Sequence, residues 1–161
     1  MKIKIRMEKI LAAIALVSAM LLCACGDTDS EPTNEPAPSD ITSAIMAEIE
    51  IPSAVEKDKN TIGAYYDFDI EQAEAISVFI CGSGAYPDEL AVFKMDSSEA
   101  AASVAETAQK RLDSQIELYK DYTPDEMYKL DSAEVTVKGN YVMLFICSDN
   151  ARASEIANGL F

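Results

Sequence analysis

Histidine is absent from the 161 residues, and so is tryptophan. Without His the chain cannot build a Ser-His-Asp triad, a Cys-His pair or an ordinary zinc site. Cations are scarce too: 13 Lys and Arg stand against 28 Asp and Glu, giving a formal net charge of -15. Phosphate backbones are held by basic faces, so nucleic acid is not an expected partner. No metal or cofactor motif is expected either. The length suits one domain.

The few cations are unevenly placed. Lys2, Lys4, Arg6 and Lys9 against Glu8 make the first 24 residues +3, which leaves -18 for the rest. Ile10 to Leu22, "ILAAIALVSAMLL", is an uncharged apolar run of 13 residues. As a helix it reaches roughly 20 Å, short of the ~30 Å hydrocarbon core. A basic start and a short apolar run together have the pattern of an export signal.

Two cysteines follow in "LLCACGD". The segment resembles a bacterial lipobox, Leu-x-small-Cys, which places the modified residue at Cys25 behind Leu22, Cys23 and Ala24. Cys23 follows the bulky Leu22 and fits that pattern poorly. The resemblance implies that lipoprotein maturation enzymes add a diacylglyceryl group to the Cys25 thiol and cut between Ala24 and Cys25. Two acyl chains suffice for stable anchoring. The expected location is the outer face of the cell membrane.

Beyond Cys25, "GDTDSEPTNEPAPSD" holds three prolines, five acids and no large apolar residue. Such a stretch is expected to stay extended as a tether, reaching on the order of 45 Å. The expected organisation is a signal peptide at 1–24, lipidated Cys and tether at 25–39, and an α+β domain at 40–161.

Within that domain, Ile41, Ile45 and Ile49 predict a first helix over 40–50, capped by Ser39 and stopped by Pro52. "ISVFIC" and "LAVFKM" read as strands on either side of a "GSGAYPDE" break. Ala101, Val104, Ala105, Ala108, Leu112, Ile116 and Tyr119 recur at helical spacing over 98–120. Ser97 or Asp96 can cap that helix, and Glu106 can pair with Lys110. Glu134 to Lys138, Gly139-Asn140 and Tyr141 to Cys147 predict a hairpin, and a closing helix runs from Asn150 to Asn158 before Gly159.

The order α-β-β-α-β-β-α predicts a four-stranded, mainly antiparallel sheet with its helices on one face. "AVFKMDSSEAAASVAE" and "MLFICSDNARASEIAN" also match in pattern, which raises a duplicated ββα unit. Behind the lipobox, "AYPDELAVFK", "RLDSQIELYKDYTPDEMYKL" and "GNYVMLFICSD" resemble a family of small Gram-positive lipoproteins of unknown function. The resemblance spans about Ile41 to Phe161 and implies location without an activity.

Several residues carry chemistry. Cys81 and Cys147 are compatible with a disulfide in an oxidising compartment, or with two reduced thiols packed as small apolar groups. Gly82 and Gly84 open a loop that could present Tyr86 and Asp88 to a ligand, or could simply serve turn geometry. Asp67, Asp69, Glu71 and Glu74 are a Ca²⁺ candidate or a solvated acidic segment. Tyr119, Tyr122 and Tyr128 form a recognition patch or anchor a helix end. No catalytic residue stands out. The expected function is a non-catalytic binding or accessory module, partnered by the membrane and by a membrane or cell-wall protein. The alternatives are a surface hydrolase using carboxylates on wall or peptide substrates, and a Ca²⁺-dependent wall-associated protein.

Overall fold

Apolar residues fill both faces of the two central strands, and this dictates the architecture. The computed structural model describes residues 34–161. The proposed signal peptide, with Ala24 and Cys25, and the tether up to residue 33 lie outside the described residues. The elements are α1 (Pro38–Met46), β1 (Ala54–Lys57), β2 (Ala73–Cys81), β3 (Glu89–Met95), α2 (Ser98–Tyr122), α3 (Met127–Asp131), β4 (Val135–Lys138), β5 (Tyr141–Ile146) and α4 (Asn150–Asn158). Three short 3₁₀ turns lie at Ile62–Ala64, Ile70–Gln72 and Pro124–Glu126.

The sheet has five antiparallel strands in the order β1-β2-β3-β5-β4. The four-strand expectation missed β1, a four-residue edge strand "AVEK" with its two central residues exposed. So short and half-polar a segment has no periodic signal to separate it from loop.

The helices occupy both faces, not one. Ala101, Val104, Ala108 and Leu112 of α2 pack with Val78, Ala91, Phe93, Met95, Val142 and Leu144. Ile41 and Ile45 of α1 and Ala153 and Ala157 of α4 pack on the other face, with Leu90, Val92, Met143 and Phe145. Strands covered on both sides lose apolar-polar alternation, which is why all six residues of β5 are buried.

This arrangement removes the duplicated ββα unit. In the matched segments, Ala91, Phe93 and Met95 face α2, whereas their counterparts Met143, Phe145 and Cys147 face α1 and α4. Between the halves, strand direction, lateral order and face are all reversed. Together these amount to an inversion, which no rotation of a chiral chain reproduces.

Local signals fared better. Ser97 Oγ accepts from the Ala100 N–H at 3.3 Å and starts α2, and Gly139 turns the β4–β5 hairpin with φ +56°. Asp149 caps α4, which runs Asn150–Asn158 as its pattern indicates. The first helix instead begins at Pro38, with Ala37 at its cap and no side-chain cap bond. Proline pre-sets the first helical φ and needs no hydrogen-bond partner there.

The end of the stretch read as tether lies on the fold. Pro36 is buried and its carbonyl accepts from Tyr141 Oη at 3.0 Å. Asn34 Nδ2 donates to the Leu160 carbonyl at 2.7 Å, and Glu35 pairs with Lys94 at 2.8 Å. Composition alone missed this, because the backbone and polar side chains of residues 34–36 supply those contacts.

Candidate functional site

Two adjacent acids, Asp88 just before β3 and Glu89 at its start, are both fully buried. A carboxylate without water needs compensation, and each finds it in a different direction. Glu89 Oε2 accepts from Arg111 of α2 at 3.1 Å (Nε) and 2.8 Å (Nη2). Glu89 Oε1 accepts from the buried Tyr66 hydroxyl. Burial, then the Glu89 charge, pushes the Tyr66 hydroxyl well above the ordinary tyrosine range. Burial works against the Arg111 cation, but Glu89 outweighs it and raises its pKa.

Asp88 Oδ2 meets Lys129 Nζ at 2.7 Å, and Glu126 meets the same ammonium at 2.7 Å. Lys129 is itself buried. Its desolvation is overcome by these two carboxylates, which hold it above the usual lysine value. Asp88 moves upward because burial outweighs Lys129, and its Oδ1 has no hydrogen-bond partner among the described residues. The Lys129 backbone is fixed as well, since Asn150 Nδ2 donates to its carbonyl at 2.6 Å.

An aromatic rim lies over this charge layer. The Lys129 ammonium is 5.4 Å from the Tyr86 ring centroid and 5.9 Å from that of Tyr128. Tyr119 is buried, and its hydroxyl donates to the carbonyls of Gly84 (3.0 Å) and Tyr86 (2.9 Å). The β2–β3 loop is therefore braced from beneath. Tyr122, whose ring is 6.4 Å from Tyr119, is 66% exposed, Tyr128 53% and Tyr86 42%. The three predicted tyrosines thus divide: Tyr119 anchors the helix end, and Tyr122 and Tyr128 face solvent.

The predicted loop keeps only part of its expected role. Gly84 adopts φ +66°, which favours glycine, and Gly82 lies so close to Val55 that an added Cβ would come within 2.7 Å of its Cγ2. Tyr86 is displayed. Asp88 is not; it points inward to Lys129, because an acid one residue before a doubly covered strand has no route to water.

For Cys81 and Cys147 the alternatives are a disulfide and two reduced thiols packed as small apolar groups. Cys81 and Cys147 are free; Cys81 ends β2, Cys147 follows β5, and β3 runs between those strands. Two strand spacings put them about 10 Å apart, beyond the ~7 Å Cα limit for a bridge. Burial raises the Cys147 pKa, as suits an inert packed thiol. The acids proposed for Ca²⁺ scatter: Asp69 caps a 3₁₀ turn at the Glu71 N–H, and Glu74 pairs with Lys94 at 3.1 Å. Among the described residues no cluster of three acids or cysteines suits a metal ion.

Among the described residues, two cavities bear on the site. One, of about 210 Å³, is lined by Tyr65, Asp67, Thr107, Lys110, Arg111 and Ser114. The other, of about 220 Å³, is lined by Ser132, Glu134, Phe145, Asn150, Ala151 and Ser154. Each has a single acid in its wall, so neither offers the carboxylate pair of a glycosidase. Sequence reasoning passed over Tyr65, Glu89, Arg111 and Lys129. The available signal was a charge set inside or beside an apolar stripe, as Arg111 is beside Ala108 and Leu112.

Fold and site together define an α+β domain with a doubly covered antiparallel sheet and a buried charge layer at one sheet end. The chain belongs to the family described as Domain of unknown function (DUF4358), whose model matches residues 47–147, more than half of the chain. No curated protein and no solved structure shows significant similarity to it. No helix among the described residues is long and apolar enough to cross a membrane.

Proposed function

We propose that the protein is a lipoprotein held at the outer face of the cell membrane through Cys25, acting as a non-catalytic binding or accessory module. The basic start, short apolar run and Leu22-Cys23-Ala24-Cys25 pattern support the anchor. The observation that carries the binding role is the braced tyrosine rim of Tyr86, Tyr122 and Tyr128. Exposed tyrosines on a fixed backbone offer contact area at little entropic cost, as recognition surfaces do. The buried acids favour this reading over hydrolysis, because Arg111, Tyr66 and Lys129 already engage them.

Anchoring is tested with Cys25→Ala, which abolishes lipid labelling and releases the protein into the medium. Lipid labelling of Cys25→Ala would overturn the lipobox reading. The binding role is tested by placing a photo-crosslinking residue at Tyr86 or Tyr128 in the intact anchored protein, with a probe at exposed Glu99 as the control. A recurrent adduct specific to the rim, lost in the Tyr122→Ser background, is the expected result. Identical adducts from rim and control positions would refute it.

A further inference from the structure

The cavity beside Arg111 concentrates positive charge on an otherwise acidic protein. Nine cations follow Ala24 in the sequence, and three of them surround Tyr65. Lys57 Nζ is 5.1 Å from the Tyr65 ring centroid and Arg111 Cζ is 5.4 Å from it. Lys110 joins Tyr65 and Arg111 in the cavity wall. The predicted pairing of Lys110 with Glu106 is not made, and its ammonium has no ion-pair partner among the described residues.

Arg111 is oriented by the protein's own chemistry. Its Nε and Nη2 both donate to Glu89 Oε2, so that edge of the guanidinium is fixed from inside. Nη1 makes no hydrogen bond to any described residue, and Arg111 lines the cavity. A cation clamped on one edge and open on the other loses little entropy when it takes a ligand. Two of the nearby hydroxyls do not compete as donors. Thr107 donates to the Asp67 and Ser103 carbonyls, and Ser114 donates to the Lys110 carbonyl.

We infer that this cavity is a binding site for the carboxylate of a small ligand or of a peptide C-terminus, held by Arg111 Nη1 and the Lys110 ammonium. Its volume is below the ~300 Å³ of ordinary ligand pockets, which fits one terminal group rather than a large molecule. Asp67 in the wall sets the charge limit. Set with Glu89 against Lys57, Lys110 and Arg111, it leaves one net positive charge, which suits a monoanion and opposes a dianionic phosphate, and it can accept from an ammonium on the same ligand.

The test titrates the full chain in mild detergent with acetate, N-acetylalanine, alanine, alaninamide and inorganic phosphate at constant ionic strength. The readout is the Arg111 Nε–H resonance and the backbone amides of residues 65, 107, 110 and 114. Acetate and N-acetylalanine are expected to give saturable shifts centred there, and alaninamide none. Tighter binding of alanine than of N-acetylalanine identifies a free amino acid as the source, and the reverse identifies a peptide C-terminus. Lys110→Gln, on a side chain with no ion-pair partner among the described residues, weakens binding about tenfold or more while leaving the circular dichroism spectrum unchanged. Shifts that phosphate reproduces equally, shifts unaffected by Lys110→Gln, or no saturable shift would each overturn the proposal.

Discussion

Glu89 is the most exacting test of how this fold is held together. Its carboxylate is fully buried, and it serves both a largely buried guanidinium and a buried phenol. Glu89→Ala removes the only carboxylate ion-paired with Arg111 among the described residues, and the Arg111 side chain is 16% exposed. Stranding a buried partner costs about 3–5 kcal/mol. The Tyr66 hydroxyl loses its acceptor as well, worth about 1–3 kcal/mol alone. The two losses share one carboxylate and one cavity, so a combined loss of about 4–6 kcal/mol is expected. Total stabilities are about 5–15 kcal/mol, so the variant sits near the limit of folding. Glu89→Gln keeps the volume and one acceptor oxygen, and should lose about 2–3 kcal/mol. Glu89→Leu with Arg111→Met removes both charges at once. It should cost less than the sum of the single changes, with a coupling of about 2–3 kcal/mol. Urea denaturation followed by far-ultraviolet circular dichroism measures each value, with a common m-value confirming a shared transition. A loss under about 1 kcal/mol for Glu89→Ala, or strict additivity in the cycle, would refute the buried-pair account.

Three further outcomes follow from the same structure. Lys129→Met leaves the Asp88 and Glu126 carboxylates facing each other without their cation, and should cost about 3–5 kcal/mol in the same urea assay; a neutral result contradicts the ion-pair triad. The raised Tyr66 pKa means that the folded state keeps a proton the unfolded chain gives up near pH 10. Its contribution is complete below about pH 10 and is lost as pH climbs toward the folded value. Thermal melts from pH 8 to 11 should therefore fall less steeply for Tyr66→Phe, with Tyr119 and Tyr141, also raised, leaving residual slope. Matching slopes for variant and wild type would count against it. Finally, Gly84→Ala forces an L-residue into φ +66° and should cost about 1–2 kcal/mol. Gly63→Ala, where an added Cβ meets nothing within 4 Å, serves as the control.

What the sequence determined by itself is what local chemistry specifies. The 3.6-residue recurrence of Ala101, Val104, Ala108 and Leu112 marks a helix whatever it packs against. Ser97, Gly139 and Gly159 mark ends and turns because their requirements are met within a few residues. The apolar runs of β3 and β5 announced strands buried on both sides, although one covered face was the reading drawn from them. Partners distant in the chain were decided only by tertiary structure. Asp88 meets Lys129 across 41 positions and Glu89 meets Arg111 across 22, and neither spacing has a local signature. β5 docking against β3 separates Cys81 from Cys147 and sends the two similar half-sequences to opposite faces. Strand periodicity tells which residues share a face, but not which neighbour covers it. That choice is made by packing the whole chain at once, and it is why the charge layer and the Arg111 cavity became visible only in three dimensions.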